Sequence, residues 1–169
     1  MGNSTIKHTI PHSISNCSKL TILELSDNKL TGLIPNYLGY LTRLQLLNLQ
    51  QNNLMSDSSL SFLTSLTNCE NLIYLALSFN PLNGKLPVSI GNLSTSLTKF
   101  YASTCKIKWR IPNVVGNLSS LLDLDLSIND LAGAIPASIH NLRDLQRLDF
   151  SENKLRGIIV ENLCKNCNI

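Results

Sequence analysis

Residues 121–136 read Leu-Leu-Asp-Leu-Asp-Leu-Ser-Ile-Asn-Asp-Leu-Ala-Gly-Ala-Ile-Pro. Leu121, Leu124, Leu126, Asn129 and Leu131 fall at offsets of 0, 3, 5, 8 and 10, and Gly133, Ile135 and Pro136 at 12, 14 and 15. The same ruler laid at Leu20 meets Leu23, Leu25, Asn28, Leu30, Gly32, Ile34 and Pro35. Laid at Leu72 it meets Leu75, Leu77, Asn80, Leu82, Gly84, Leu86 and Pro87. From Leu145 it meets Leu148, Phe150, Asn153, Leu155, Gly157 and Ile159, and fails at Val160. The anchors are Leu20, Leu44, Leu72, Leu97, Leu121 and Leu145, spaced by 24, 28, 25, 24 and 24 residues. Self-similarity at such a period means one structural unit stacked many times.

The pattern resembles the leucine-rich repeat, and its 24-residue period with an L-x-G-x-I-P tail is similar to the plant extracellular subtype. The fold this implies is an α/β repeat solenoid. A parallel β-sheet would line the concave face, with short helical or 3-10 segments and loops on the convex face. We read a single domain over residues 1–169, with a partial repeat at 1–19 and repeats starting at 20, 44, 72, 97, 121 and 145. Ile6, Ile10 and Pro11 fit the tail of an earlier repeat, and Ile169 stands where another would begin. Polar capping repeats, which solenoids need at their ends, are not visible. The expectation is a slice of a longer repeat protein or a truncated gene product.

Each repeat should open with a strand. The alternation in x-L-x-L-x turns leucines to one side and the intervening residues to the other. One such strand cannot bury its apolar side alone, but a stack shares a continuous leucine core. Asn28, Asn52, Asn80, Asn129 and Asn153 sit at offset 8, where the chain turns inward. An amide both donates and accepts, so a ladder of asparagines can satisfy turn peptides otherwise buried unpaired. Cys105 stands in for Asn in the fourth repeat, and a softer turn is expected there. Pro11, Pro35, Pro87, Pro112 and Pro136 share offset 15, and seven of the eight glycines share offsets 12 and 19. Trp109 takes an offset-12 glycine position, either as a loop-packing aromatic or as an exposed contact residue. Ile14, Leu38, Leu66, Ile90, Val115, Ile139 and Leu163 open the convex stretches. The second repeat is four residues longer. Its Asp57-Ser58-Ser59 can cap a helix, and Leu60, Leu63 and Leu66 recur at helical spacing, which predicts a true α-helix longer than the standard tail.

Composition narrows the function classes. The chain has 169 residues, 43% hydrophobic and 15% charged, with a net charge of +3. This suffices for one domain with a continuous core and carries no basic cluster of the kind nucleic-acid binding requires. No apolar run approaches the roughly 18 residues of a membrane span, and the first residues lack the apolar stretch of a signal peptide. No phosphate-cradling glycine loop or kinase motif occurs, no metal-ligand set is apparent, and no cofactor is expected. Cys17 and Cys69 read as buried small apolar residues. Cys164 and Cys167 form C-x-x-C, read as ordinary repeat-tail residues or as a disulfide closing one end. His8, His12 and His140 read as surface residues. Asn-x-Ser/Thr sequons at Asn3, Asn16, Asn92 and Asn117 are glycosylation candidates, the last three on the convex or flanking side.

The solvent side of the expected sheet can be written as columns. The first is Ile22, Leu46, Tyr74, Lys99, Asp123, Arg147, whose last three alternate in charge and should neutralise one another. The second is Glu24, Asn48, Ala76, Tyr101, Asp125, Asp149. The third is Ser26, Gln50, Ser78, Ser103, Ser127, Ser151, and the fourth Asp27, Gln51, Phe79, Thr104, Ile128, Glu152. Tyr74, Phe79 and Tyr101 would be exposed aromatics, which often anchor interfaces. With Lys99, Asp123, Asp125, Arg147 and Asp149 they form the candidate ligand-binding face. Asp125 and Asp149 would be neighbours about one strand spacing apart, read as a cation-attracting surface in preference to an acid/base pair.

Phe62–Cys69 (F-L-T-S-L-T-N-C) and Gly91–Leu97 (G-N-L-S-T-S-L) resemble the ectodomains of one subgroup of plant leucine-rich-repeat receptor-like kinases. The resemblance implies recognition of a peptide or protein ligand in defence or developmental signalling, with a co-receptor as a possible further partner. The parent would be a glycoprotein at the extracellular side of the plasma membrane, and the kinase would be a separate domain absent from this chain, which would then have no enzymatic activity. Two alternatives stay open: a soluble leucine-rich-repeat inhibitor of a secreted microbial enzyme, and a truncated remnant without function.

Overall fold

A computed structural model describes residues 9–157. The sequence features at Asn3, Ile6, His8, Ile159, Val160, Leu163, Cys164, Cys167 and Ile169 lie outside the described residues. The strands, in chain order, are β1 (Ile22–Glu24), β2 (Thr31–Leu33), β3 (Leu46–Asn48), β4 (Asn53–Met55), β5 (Tyr74–Ala76), β6 (Lys99–Tyr101), β7 (Lys108–Trp109), β8 (Asp123–Asp125), β9 (Asp130–Gly133), β10 (Arg147–Asp149) and β11 (Lys154–Leu155).

One strand per repeat builds a six-stranded parallel sheet in the order β1-β3-β5-β6-β8-β10. The middle residues Leu23, Leu47, Leu75, Phe100, Leu124 and Leu148 stand in register and point into the core. Leu44, Leu49, Leu72, Leu77, Leu97, Leu121 and Leu126 complete a single continuous cluster. A fully buried leucine contributes roughly 2 kcal/mol. Sharing those leucines between neighbours makes three-residue strands stable that would be unstable alone.

After each strand the chain turns sharply at offset 7. Asp27, Gln51, Phe79, Thr104, Ile128 and Glu152 all adopt left-handed backbone, with φ between 52° and 60°. For Thr104 and Ile128, β-branched residues, this is a rare conformation costing about 1–2 kcal/mol. Inter-repeat hydrogen bonds hold it: the Phe79, Thr104 and Ile128 N–H groups donate to Ser103, Ser127 and Ser151 carbonyls at 3.0, 3.1 and 2.9 Å. The fourth column is therefore the turn itself and not part of the flat sheet. The third column also differs from expectation, because Ser78, Ser103 and Ser127 are buried. The chain is already curling inward at that position.

The asparagines complete the turn. Asn129 donates to the Ala102, Leu126 and Ser127 carbonyls at 2.8, 3.0 and 3.0 Å, while its carbonyl accepts from the Cys105 and Ile107 N–H groups at 3.1 and 2.9 Å. Asn80 likewise reaches back to the Leu49 carbonyl at 2.8 Å and accepts from Leu54 N–H at 3.0 Å. Asn52 and Asn153 repeat the bridge to Leu25 and Leu126, both at 2.9 Å. Asn28 bonds the Leu25 and Ser26 carbonyls of its own repeat at 3.2 and 2.8 Å.

A second ladder runs along the flank but is interrupted: β2 pairs β4, and β7, β9 and β11 pair separately. The gap falls at the third repeat for two chemical reasons. In the second and fifth repeats the offset-9 N–H donates backwards, Asn53 to Leu30 at 2.8 Å and Asp130 to Ile107 at 2.8 Å. Pro81 occupies that position in the third repeat and has no N–H. Cys105, where an Asn carbonyl would accept from Leu82 N–H, is fully buried and donates its thiol to Leu77 and Ser103 carbonyls, both at 3.3 Å. Leu82 N–H turns to Asn80 O at 2.8 Å instead.

The convex side carries 3-10 turns at His12–Asn16, Asn36–Tyr40, Val88–Asn92, Asn113–Asn117 and Ala137–Asn141. Each follows a proline with φ between −84° and −65°, whose carbonyl accepts from the N–H three residues on. The second repeat forms the one α-helix among the described residues, α1 (Ser61–Ser65), continued by a 3-10 turn at Leu66–Asn68. It is shorter than expected, because the extra residues go into a turn rather than a longer helix. Asp57 accepts from Ser59 and Ser61 N–H, both at 3.0 Å, and from the Ser61 hydroxyl. Leu60, at φ 48°, then enters the core.

Cys69 and Cys105 are buried, whereas Cys17 is exposed, contrary to expectation. Cys69 has a full repeat stacked on its N-terminal side and donates to the Leu41 carbonyl at 3.4 Å; Cys17 lies in the first described turn, where no described repeat covers it. All three are free thiols. Burial pushes the Cys69 thiol up to about 11 and the Cys105 thiol up to about 12. His12 and His140 are exposed, His12 against the Tyr37 ring at 4.6 Å.

Candidate functional site

The register of the large sheet sets the side chains of its solvent face in the columns read from the sequence: Ile22, Leu46, Tyr74, Lys99, Asp123 and Arg147 align, as do Glu24, Asn48, Ala76, Tyr101, Asp125 and Asp149. Tyr74 and Tyr101 are half-buried rather than exposed. They meet edge-to-face with centroids 5.6 Å apart and planes at 81°, a favoured aromatic geometry. The Tyr101 hydroxyl donates to Asp123 Oδ2 at 2.8 Å, and Tyr74 Oη accepts from Gln50 Nε2 at 3.4 Å. Burial, then the Asp123 carboxylate, pushes the Tyr101 phenol up to about 12. Burial and the Glu24 charge raise Tyr74 as well. Both rings are therefore neutral donors and apolar faces at physiological pH.

Beside them lies a carboxylate cluster held by one cation. Arg147 reaches Asp123 at 3.2 Å, Asp125 at 3.6 Å and Asp149 at 3.1 Å. The sequence columns suggested a Lys99–Asp123–Arg147 alternation. Arg147 alone neutralises the cluster, since Lys99 makes none of the ion pairs among the described residues. The backbone explains why the carboxylates stay in place: Asp125 Oδ1 accepts from Ser127 N–H and hydroxyl at 2.9 and 2.7 Å, and Asp149 Oδ1 from Ser151 in the same way at 3.1 and 2.6 Å. The Ser151 bonds, then Arg147, hold the Asp149 carboxyl below its usual range against the opposing effect of burial. The acidic patch is thus partly compensated from within: each carboxylate oxygen already has a partner, and the three side chains are only partly exposed.

Phe79 is exposed at the rim of this face, as are Ile22 and Ile128. The two isoleucines were in the columns but were not singled out as contacts. Their burial depends on what lies beside them, which pattern alone does not encode. The sequon asparagines Asn16, Asn92 and Asn117 are all exposed and end convex 3-10 turns, away from the sheet. Ser94, the hydroxyl partner of the Asn92 sequon, is buried and donates to the Glu70 carbonyl at 2.6 Å. Among the described residues no helix is long and apolar enough to cross a membrane.

A curved parallel sheet with a leucine core, an asparagine ladder and proline-led 3-10 turns defines a leucine-rich-repeat solenoid, and the chain belongs to the leucine-rich-repeat family. Family models described as leucine-rich repeat match residues 1–54, 71–93 and 144–166. None of these matches is to a kinase domain. The chain is similar to the LRR receptor-like serine/threonine-protein kinase EFR of Arabidopsis thaliana, 43% identical over 82 residues, which is 47% of this chain and 8% of that kinase. It superposes on a plant peptide hormone receptor, RGFR1, solved with RGF2, at TM-score 0.86 and 35% identity, covering 94% of this chain and 25% of the receptor. The Arabidopsis receptor kinase HAESA, solved with the peptide hormone IDA and the co-receptor SERK1, matches at TM-score 0.80 and 32% identity over 87% of this chain and 24% of the receptor. The chain therefore spans a small part of each of these three proteins.

Proposed function

We propose that this chain is part of the ligand-sensing surface of a plant receptor, and that its concave sheet binds a peptide or protein. The observation that carries the reading is the contiguous Tyr74–Tyr101 ring pair joined through Asp123 to the Arg147-centred carboxylates. Such a patch offers apolar faces for a side-chain anchor and partly exposed carboxylates for backbone N–H groups or a basic residue. The solved receptors it resembles bind peptide hormones, and one of them also binds a co-receptor, which supports the same roles here. The parent then sits in the plasma membrane with these repeats outside the cell. Glycans on Asn16, Asn92 and Asn117 would leave the concave face free.

The test uses the full ectodomain that contains these repeats. Tyr74→Ala, Tyr101→Ala and Asp125→Ala are each expected to weaken ligand binding tenfold or more in calorimetry, with circular dichroism unchanged. Unaltered affinity in all three removes the concave face from consideration.

A further inference from the structure

A regular solenoid needs no departures from its consensus, so departures that meet in space need a reason. Two of them meet on the flank. The first is the four-residue extension of the second repeat, tied down by Asp57. The second is Trp109, which stands at φ 74° where Gly32 and Gly133 stand at 84° and 82°. It is 70% exposed and makes no packing contribution to the core. A bulky residue held left-handed where neighbouring repeats use glycine costs free energy, and for Trp109 no core contact offsets that cost.

The two departures border one open pocket of about 480 Å³ lined by Ser58, Lys85, Leu86, Trp109 and Arg110. Lys85 N–H donates to Ser58 O at 3.0 Å, and Lys85 bridges to Lys108 beside Trp109. A Cβ on Gly84 would meet Leu60 Cδ2 at 2.8 Å, so the extension packs tightly beneath the site. Lys85, Lys106, Lys108 and Arg110 are all exposed here. Two carboxylates lie on the same flank: Asp130 pairs with Lys154 and also feels Lys108 and Lys106, and Asp57, bonded by Ser59 and Ser61, keeps its charge, so the cations still outnumber them. The flank is thus cationic and the concave face carboxylate-rich, on a chain whose net charge is only +3.

We propose that this flank pocket is a second docking site, separate from the concave sheet, for an acidic peptide segment in which a carboxylate lies next to an aromatic or aliphatic side chain. Lys85 and Arg110 take the carboxylate, and the exposed Trp109 ring, over the floor made by the buried Leu86, takes the apolar group. A neutral saccharide is disfavoured, because it would leave the Lys85 and Arg110 charges without a counter-charge. The volume suits a few residues rather than a whole domain.

Trp109 is the one tryptophan in the chain, so its fluorescence reports on the site directly. The purified chain is titrated with a peptide pool alternating Asp or Glu with Leu or Phe, with the isosteric Asn/Gln pool, and with polygalacturonate. The expected result is a saturable emission change with the acidic pool alone, weakened at least fivefold by Lys85→Gln with Arg110→Gln. Labelled acidic peptide, followed by anisotropy, should bind Trp109→Gly at least tenfold more weakly. That variant restores the glycine of the other repeats, so it keeps the fold. Tyr101→Phe should leave this binding unchanged, which separates the flank from the concave face. Equal binding of the amide pool, no saturable response, a response to polygalacturonate alone, or loss of binding on Tyr101→Phe would each overturn the proposal.

Discussion

Tyr101 on β6 donates its hydroxyl to the Asp123 carboxylate on β8, at 2.8 Å across one strand spacing. The phenol is pushed up to about 12 by burial and by that carboxylate. A phenol raised above its unfolded value of about 10 favours the protonated, folded form. Its stabilisation is fully present below pH 10 and is lost as pH rises toward 12. Denaturant midpoints measured across that window should fall steeply for the native chain and less steeply for Tyr101→Phe. Parallel curves would show that the bond contributes nothing.

The asparagine ladder predicts opposite signs at two positions. Asn129→Ala leaves Cys105 and Ile107 N–H groups and the Ala102 carbonyl without their buried partner. The expected cost is about 3 kcal/mol. Cys105→Asn supplies the inter-repeat side-chain carbonyl for which Leu82 N–H now substitutes Asn80 O of its own repeat, and should raise stability by about 1 kcal/mol. Urea unfolding of the two variants checks both; a destabilised Cys105→Asn would mean that Pro81 alone sets the break in the flank ladder.

Convex turns are packed backbone to backbone. A Cβ at Gly116 would lie 2.2 Å from Ser138 O. That oxygen belongs to the next 3-10 turn, Ala137–Asn141, and cannot step aside without moving it. Gly116→Ala is therefore expected to lower stability by about 2 kcal/mol, read from the shift in thermal midpoint. A change under a few tenths would show that the turn slides freely.

Trp109→Gly should do the reverse. Removing a bulky residue from left-handed backbone relieves about 1 kcal/mol, and no core contact is lost in exchange. A higher midpoint with weaker acidic-peptide binding is the signature of a residue retained for contact and not for folding. A lower midpoint would mean that the ring packs on the flank in a way that matters to stability.

The thiols should separate by reactivity. Cys17 is exposed, while burial raises Cys69 to about 11 and Cys105 to about 12. Maleimide labelling at pH 7.5 followed by peptide mapping should modify Cys17 in minutes, and Cys69 and Cys105 only after denaturant is added. Early labelling of Cys105 would point to opening of the third and fourth repeats.

The columns of the sheet face were legible because register follows from period: residues one repeat apart must sit side by side, so Tyr101, Asp125 and Asp149 could be placed before any coordinate was known. Burial was less legible. Ser78 and Ser103 share a column with half-buried Ser26 and exposed Ser151, yet they are inside and hydrogen-bonded to each other at 3.0 Å. The position curls inward, and only repeats with neighbours on both sides close over it. Cys17 was misread for the related reason that burial in a solenoid belongs to the stack and not to the residue.

By itself, the sequence determined the repeat, its inward leucines, its asparagine ladder and its proline-led turns, because each follows from local geometry repeated at a fixed period. Tertiary structure decided what depends on contacts between unlike residues. It decided that Arg147 gathers three carboxylates while Lys99 gathers none. It decided that six non-glycine residues accept left-handed backbone in one column. And it brought the extended second repeat and Trp109, about fifty residues apart in the chain, to the rim of one pocket. A stacking rule fixes which repeats are neighbours. It is silent on how far each side chain reaches, and that reach is what builds a site.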